Sequence, residues 1–440
     1  MSDKRSSARG QEAKLARRLG VFDATMLVMG GIVGAGIFMN PYVVAQQVHT
    51  PALILGAWMV GGVIALAGAF LYAELAQRMP AVGGQYAYIR EAYHPLVAFL
   101  YGWGLLLVTQ TGGMAAVAVT FARYFNELSG AHTPEWLPAV VALTVLTVLN
   151  CIGVRSGGTV QSGLMVVKIV VIGALVIGGI MAARAVTPTS VTGTFAPATL
   201  SSFGAAMVPV LFAYGGWQTA NFVAGELKDP RRDLTRGLLL GVSAVVLLYV
   251  AVNFVCLRTL GTAGLEQTRA PASAVMQRAF GTLGGKLIAL GIAISALGFL
   301  SQGTLTAPRV YFAMAEDGAF FRAVAKVNER TRVPVIAIVL QSVWTMVIVL
   351  SGRYEQILNY VVSIDWIFFG VTASTLFVFR KRAIGTPTLR MPGHPWTTAA
   401  FCVAAAFMVV NTVYRYPSNT LVGVAILVSG VPVYFVWKRS

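Results

Sequence analysis

Residues 30–38 of this 440-residue chain read GGIVGAGIF, four glycines within an otherwise apolar stretch that runs from about residue 19 to 48. The chemistry available here belongs to the backbone. In hydrocarbon, unpaired N–H and C=O groups are costly. Helix-weakening backbone therefore persists at membrane depth only where protein buries it or where it lines a cavity. A helix broken in this stretch lets a ligand approach the main chain. It also presents free N–H groups at the positive dipole end of a second half-helix, which suits a carboxylate. The competing reading is close packing between helices, for which small-xxx-small spacings are common. Gly31, Gly34 and Gly36 give G-x-x-G-x-G, without the strand and βαβ context of a dinucleotide site.

A second interruption answers the first. Residues 208–230 read VPVLFAYGGWQTANFVAGELKDP, with Gly215 and Gly216 in mid-span and a proline at 209. Interrupted spans at corresponding places in two halves of a chain point to a secondary transporter built from inverted repeats, with substrate bound at the midplane between the breaks. Two ionisable residues inside apolar runs stand out. Asp365 is a functional-site candidate because intramembrane carboxylates are rare, and its alternative is a protonated or paired structural Asp. Lys168, within GLMVVKIVVIG, is too far from either end of its span to snorkel, so something must compensate it.

Composition sets the elements that must hold these groups. The chain is 57% hydrophobic and 11% charged, whereas soluble domains are about a quarter charged. This is an all-α polytopic membrane protein. Apolar runs long enough to span about 30 Å fall near 20–47, 53–79, 94–124, 136–153, 156–183, 202–227, 235–258, 283–315, 333–350, 355–380, 396–414 and 419–437, giving twelve expected transmembrane helices. With both termini inside, most of the 33 Lys and Arg lie on the cytoplasmic side, as the positive-inside rule requires. Arg258, Arg269, Arg278 and Lys286 are the exception, in one long external loop whose residues 272–280 form an amphipathic patch suited to a lid. Residues 1–19 read as a cytoplasmic tail without a cleaved signal. The net charge of +17 therefore orients the chain in a bilayer and implies no nucleic-acid partner. Cys151, Cys256 and Cys402 read as small core residues, and His49, His94, His132 and His394 as solvated. No metal site or cofactor is implied.

Four motifs in order carry a resemblance: GGIVGAGIF in the first span, ELAQRMPAVGGQYAYI (74–89) after the second, FAYGGW (212–217) with ELKDPRR in the sixth, and PRVYFAMAEDG (308–318) ending the eighth. Over about residues 18–415 the chain resembles the amino acid, polyamine and organocation (APC) superfamily, nearest the bacterial relatives of the L-type amino acid transporters. The resemblance implies a LeuT-like fold with broken helices 1 and 6. Its inverted five-helix repeats would cover 20–183 and 202–380, and two further helices 395–437. It implies that a substrate α-carboxylate meets N–H groups at Ala35 and Gly36, and that an α-amino group meets carbonyls of Ile32, Phe212 and Gly215. Freed carbonyls suit an ammonium as a helix N-terminus suits an anion. Ala35 stands where relatives usually carry a small hydroxyl residue, so only its backbone contact remains. Phe212 takes the place of an outer gate. Lys168 matches, by helix and depth, a lysine that replaces a sodium ion in these relatives, within reach of the Gly30 carbonyl and the Ser301 hydroxyl. It acts either as a proton carrier or as a fixed strut.

The function implied is sodium-independent secondary transport of amino acids with neutral side chains, by alternating access, in the cell inner (plasma) membrane. Exchange, facilitated transport and proton coupling all stay open. A cationic amino acid or polyamine is the alternative substrate, with Asp365 as counter-charge. A membrane-embedded enzyme is weaker, because the sequence has no HExxH, GxSxG or paired intramembrane carboxylates. Trp217 and Trp366 read as pocket wall or core, and Glu74, Arg78, Glu226 and Asp229 as loop ion pairs. The loop at 126–135 lacks the cysteine through which heteromeric relatives hold a partner, so no disulfide-linked subunit is expected.

Overall fold

A computed structural model describes residues 15, 17–182, 197–352, 354–415 and 417–439. The first interrupted span forms two helices, α1 (Val21–Ile32) and α2 (Gly36–Val48), bent by 43° across residues 33–35. α3 (Pro51–Arg78) starts where Pro51 fits the first helical turn and the Thr50 hydroxyl accepts from Leu53 N. After α4 (Gln85–Ala92), α5 (Pro95–Gly104) runs through a π-turn at Leu105–Thr109 into α6 (Gln110–Ser129). α7 (Trp136–Ile152), α8 (Val154–Ala182) and α9 (Pro197–Tyr214) follow. Past Gly215 and Gly216, α9 continues as a 3-10 helix, Trp217–Glu226. The remainder is α10 (Pro230–Gln267), α11 (Pro271–Thr306), α12 (Pro308–Glu316), α13 (Val335–Leu350), α14 (Tyr354–Lys381), α15 (Trp396–Arg415) and α16 (Pro417–Arg439).

Helix occupies every apolar stretch marked by hydropathy. Among the described residues, seven helical segments are long and apolar enough to cross a membrane, and eight if the bent α1–α2 pair counts as one span. α7 and α13 are apolar but have 17 and 16 residues, about 25 Å at 1.5 Å per residue. The outer faces are apolar. Val141, Val145, Val148 and Ile152 of α7 are each more than half exposed, the reverse of a water-facing helix and the arrangement expected against lipid.

Glycines bring the inner helices together. A Cβ at Gly61 or Gly62 of α3 would lie 2.3 Å from Val210 or 2.7 Å from Val246. One at Gly237 or Gly241 of α10 would lie 2.6 Å from Ala24 or 2.7 Å from Val28. α1, α3, α9 and α10 thus meet through small residues, as membrane helices do. Trp58, Tyr214 and Tyr249 fill the space between them, with ring centroids 5.1–5.8 Å apart. The segment at 272–280, expected on the external side, is helical up to the left-handed Gly281 (φ 61°) and buries Ala272, Val275 and Met276.

Two ionic groups differ from the loop pairs expected. Glu226 is fully buried and pairs with Arg309 of α12 at 2.8 Å, both side chains 0% exposed. Asp229 instead caps α10, accepting from Arg232 N at 3.2 Å. Glu74 is buried as well. Its carboxylate accepts from Arg78 Nε (2.8 Å), from Arg380 Nη2 (2.6 Å) and from the Met391 amide (2.6 Å). The helices carry these residues inward because each carboxylate has a guanidinium on a neighbouring element, and a buried charge is tolerated only when paired. At the same end Arg18 N and Leu19 N donate to Glu226 O (2.9 and 3.0 Å), and Lys228 N donates to Leu19 O (2.9 Å). The segment before α1 is thereby pinned to the end of the 3-10 helix. Removing one partner of a buried pair costs about 3–5 kcal/mol, whereas replacing both is often neutral. Glu226→Ala is therefore expected to lower the melting temperature of the detergent-purified protein sharply, and Glu226→Leu with Arg309→Met to recover most of the loss.

Candidate functional site at the two helix breaks

The two glycine interruptions pack against each other. A Cβ on Gly216, whose φ is 110°, would lie 2.1 Å from the Gly31 carbonyl oxygen, and one on Gly31 would lie 2.6 Å from the Gly216 carbonyl oxygen. Only glycine allows this approach. Around the contact, Gly216 N donates to Gln218 Oε1 (3.1 Å), the Thr219 hydroxyl donates to Gly216 O (2.7 Å), and Gln302 Nε2 of α11 donates to Thr219 Oγ1.

α1 ends because the chain leaves helical geometry at Val33 (ψ 95°), whose N–H makes the last bond, to Met29 O at 2.7 Å. Carbonyls beyond Met29 have no helical partner. Tyr249 Oη of α10 donates to Ile32 O (3.0 Å) and lies 3.3 Å from Ala213 O, spanning the first break and the end of α9. The buried Lys168 of α8 donates from Nζ to Val33 O at 2.6 Å. This corrects the partners expected for it. Gly30 is still inside α1 and faces the Gln161 side chain, while Ser301 Oγ has no hydrogen-bond partner among the described residues. Of the carbonyls freed beyond Met29, it is the one on Val33 that Nζ reaches. Gly298 makes room for it, since a Cβ there would lie 2.5 Å from Lys168 Cε.

α2 opens on Gly36 with Ala35 as N-cap and no side-chain capping bond. A cavity of about 490 Å³ adjoins it, within the range usual for small-molecule sites. Ile32, Ala35, Gly36, Phe212, Gly215 and Asp365 all line this cavity; Gly30, Lys168 and Ser301 do not. Phe212 is 40% exposed and its carbonyl already accepts from Gly215 N at 3.1 Å. Asp365 of α14 has the Thr109 hydroxyl as hydrogen-bond partner, and it is the single carboxylate among the lining residues described. Arg123 and Arg269, from the segments expected outside, also line it. Trp366 and Phe369 form wall, with Trp217 stacked on Phe369 at 5.1 Å. The cavity thus meets an anion-favouring helix N-terminus on one side and helix-end carbonyls on the other, a complement to a zwitterion.

Tyr249 and Gln302 were missed by sequence reasoning. The available signal was a hydroxyl and an amide in mid-span, each of which needs a partner when buried.

Paired helix breaks around a largely apolar cavity with a few polar groups, inside a bundle of membrane-length helices, are the arrangement of a membrane carrier. The amino acid permease family profile matches residues 19–436. The chain is 30% identical to the serine/threonine exchanger SteT of Bacillus subtilis (strain 168), over 97% of this chain and 98% of that protein. It is 27% identical to the large neutral amino acids transporter small subunit 2 of Homo sapiens, over 98% of this chain and 83% of that protein. It is 27% identical to the human cystine/glutamate transporter, over 98% and 88%. The chain belongs to the amino acid permease family.

Since a Cβ at Gly34 meets only Phe299, at 3.8 Å, Gly34→Ala is expected to leave thermal stability unchanged. Gly216→Ala, which combines backbone collision with a left-handed φ, is expected to lower it by at least about 1–3 kcal/mol. Melting curves of the two variants by fluorescence-detected size exclusion check the difference.

Proposed function

We propose that the chain is a secondary transporter of amino acids with neutral side chains, sodium-independent and working by alternating access in the inner (plasma) membrane. Both termini are cytoplasmic in this reading. The twelve spans form a LeuT-like bundle, with inverted repeats at 20–183 and 202–380 and two further helices at 395–437. The observation that carries the reading is the single cavity joining the free N-terminus of α2 to the ends of α1 and α9. The α-carboxylate meets Ala35 and Gly36 N–H, and the α-amino group meets carbonyls of Ile32, Phe212 and Gly215. Phe212 moves to cover the bound substrate from outside. Relatives named for serine, threonine and large neutral amino acids support the substrate class, and the family itself argues against an enzyme. The Lys168 ammonium on Val33 O supports independence from sodium, because it supplies at the break the positive charge that a bound cation would otherwise bring.

A cationic substrate is the second reading, favoured by Asp365 in the cavity wall. Arg269 on the same cavity repels a second positive charge, which favours a neutral side chain. Asp365→Asn separates the two readings. An unchanged ratio of cationic to neutral uptake is expected; a shift in that ratio makes Asp365 the determinant of substrate charge.

Gly36→Val should leave the fold intact, since a Cβ there has its nearest contact at 3.4 Å, while covering the N–H groups. Binding of neutral amino acids, read by isothermal titration, is expected to disappear; wild-type affinity would remove the carboxylate from this position. Uptake into liposomes with sodium replaced by choline is expected to proceed and to be impaired by Lys168→Ala. If an inward pH gradient drives wild-type uptake and the variant loses that response, Lys168 carries a proton. Indifference to the gradient leaves it a strut. A strict sodium requirement overturns the assignment.

A further inference from the structure

At the end of the bundle opposite Arg123 and Arg269 lies a second cavity, of about 510 Å³. Three chain segments far apart in sequence build it: the residues before α1, the α7–α8 junction and the stretch before α13. Arg18, Arg155, Arg330 and Arg332 line it, and no lining residue described is acidic. None of the four is in an ion pair among the described residues. Four exposed guanidinium groups around one cavity make it strongly positive, and guanidinium matches phosphate geometry with paired donors.

Two further features point to a ligand. The Thr331 hydroxyl is buried at the cavity and has no hydrogen-bond partner among the described residues. The cavity also holds the start of α8 at Val154, after the left-handed Gly153 whose Cβ position is 3.5 Å from Thr331 O. Its rim is apolar on one side. Ile152, 58% exposed, lines the cavity and ends the lipid-facing row Val141, Val145, Val148, Ile152 of α7. A bilayer covering that row puts its headgroups at the level of the arginines.

We propose that this cavity binds the phosphate of an anionic phospholipid headgroup, with the acyl chains lying along the exposed row of α7. Arg155, Arg330 and Arg332 clasp the phosphate and the Thr331 hydroxyl donates to it. Arg18 closes the site from the segment whose backbone is pinned to Glu226 O. The bound lipid therefore ties that segment to α7 and α8. This inference is independent of which substrate is carried.

The test uses full-length protein, delipidated in a neutral detergent, and native mass spectrometry with phosphatidylglycerol or phosphatidylcholine added. Each basic side chain near an anionic lipid contributes about 1 kcal/mol, or roughly fivefold. A preference for phosphatidylglycerol of at least about tenfold is expected. Arg155→Gln/Arg330→Gln/Arg332→Gln should abolish it, whereas Lys228→Gln/Lys326→Gln/Lys381→Gln, which removes equal charge from exposed residues elsewhere on this face, should preserve it. Because a triple variant can fail to fold, Arg155→Gln alone is measured too, with an expected loss of about fivefold. Equal losses in the two triple variants, or no preference in the wild type, overturn the proposal. So does inorganic phosphate alone raising the melting temperature as much as phosphatidylglycerol, which would make this a free-anion site.

Discussion

The backbone contact between Gly31 and Gly216 is the constraint on which the rest of the structure depends. Two chains can approach so closely only without side chains, and glycine there forfeits helix stability. Surrounding groups must then satisfy what the breaks expose. Tyr249 reaches the carbonyls of Ile32 and Ala213, Lys168 takes that of Val33, and Gln302 with Thr219 closes the far side. What stays open is the face of the break towards the cavity, where the α2 N-terminus is uncapped. In the proposed reading, an amino acid zwitterion supplies both charges that this face lacks.

Sequence and structure agree most where the signal is local. The glycine clusters at 30–36 and 215–216 are conspicuous because hydrocarbon penalises them wherever they fall, and the apolar stretches are legible because helices must satisfy their own backbone there. Legibility ends where an outcome depends on reach between helices. Glu226 looks like a residue at the end of its span, and nothing near it in sequence shows that Arg309, 83 residues on, lies opposite. Lys168 is conspicuous as a buried cation, but which of the carbonyls freed at the end of α1 receives it depends on how α8 packs against the break, and that carbonyl is Val33's. Helix ends fall within two residues of those read from hydropathy for α7 and α13. At 17 and 16 residues these two lie at the short end of membrane-spanning length.

Closure at one end and access at the other follow from separate interactions. The Glu226–Arg309 pair, the Glu74 cluster and the strand-like pairing of Leu19 with Leu227 hold the end that carries most of the basic residues, while the cavity at the breaks reaches Arg123 and Arg269 on the other. In the alternating-access reading proposed above, the first set would part as Phe212 covers the second. Buried charge pairs suit this, since they hold firmly in one arrangement and are costly to leave half-broken.

The central claim is that main-chain groups at paired breaks read both ends of a zwitterion. It is tested most directly by competition against labelled serine uptake in liposomes, using molecules that keep one end only. Serine and alanine are expected to compete, whereas ethanolamine, which lacks the carboxylate, and lactate, which lacks the amine, should not. Competition by either at concentrations similar to serine would contradict the account.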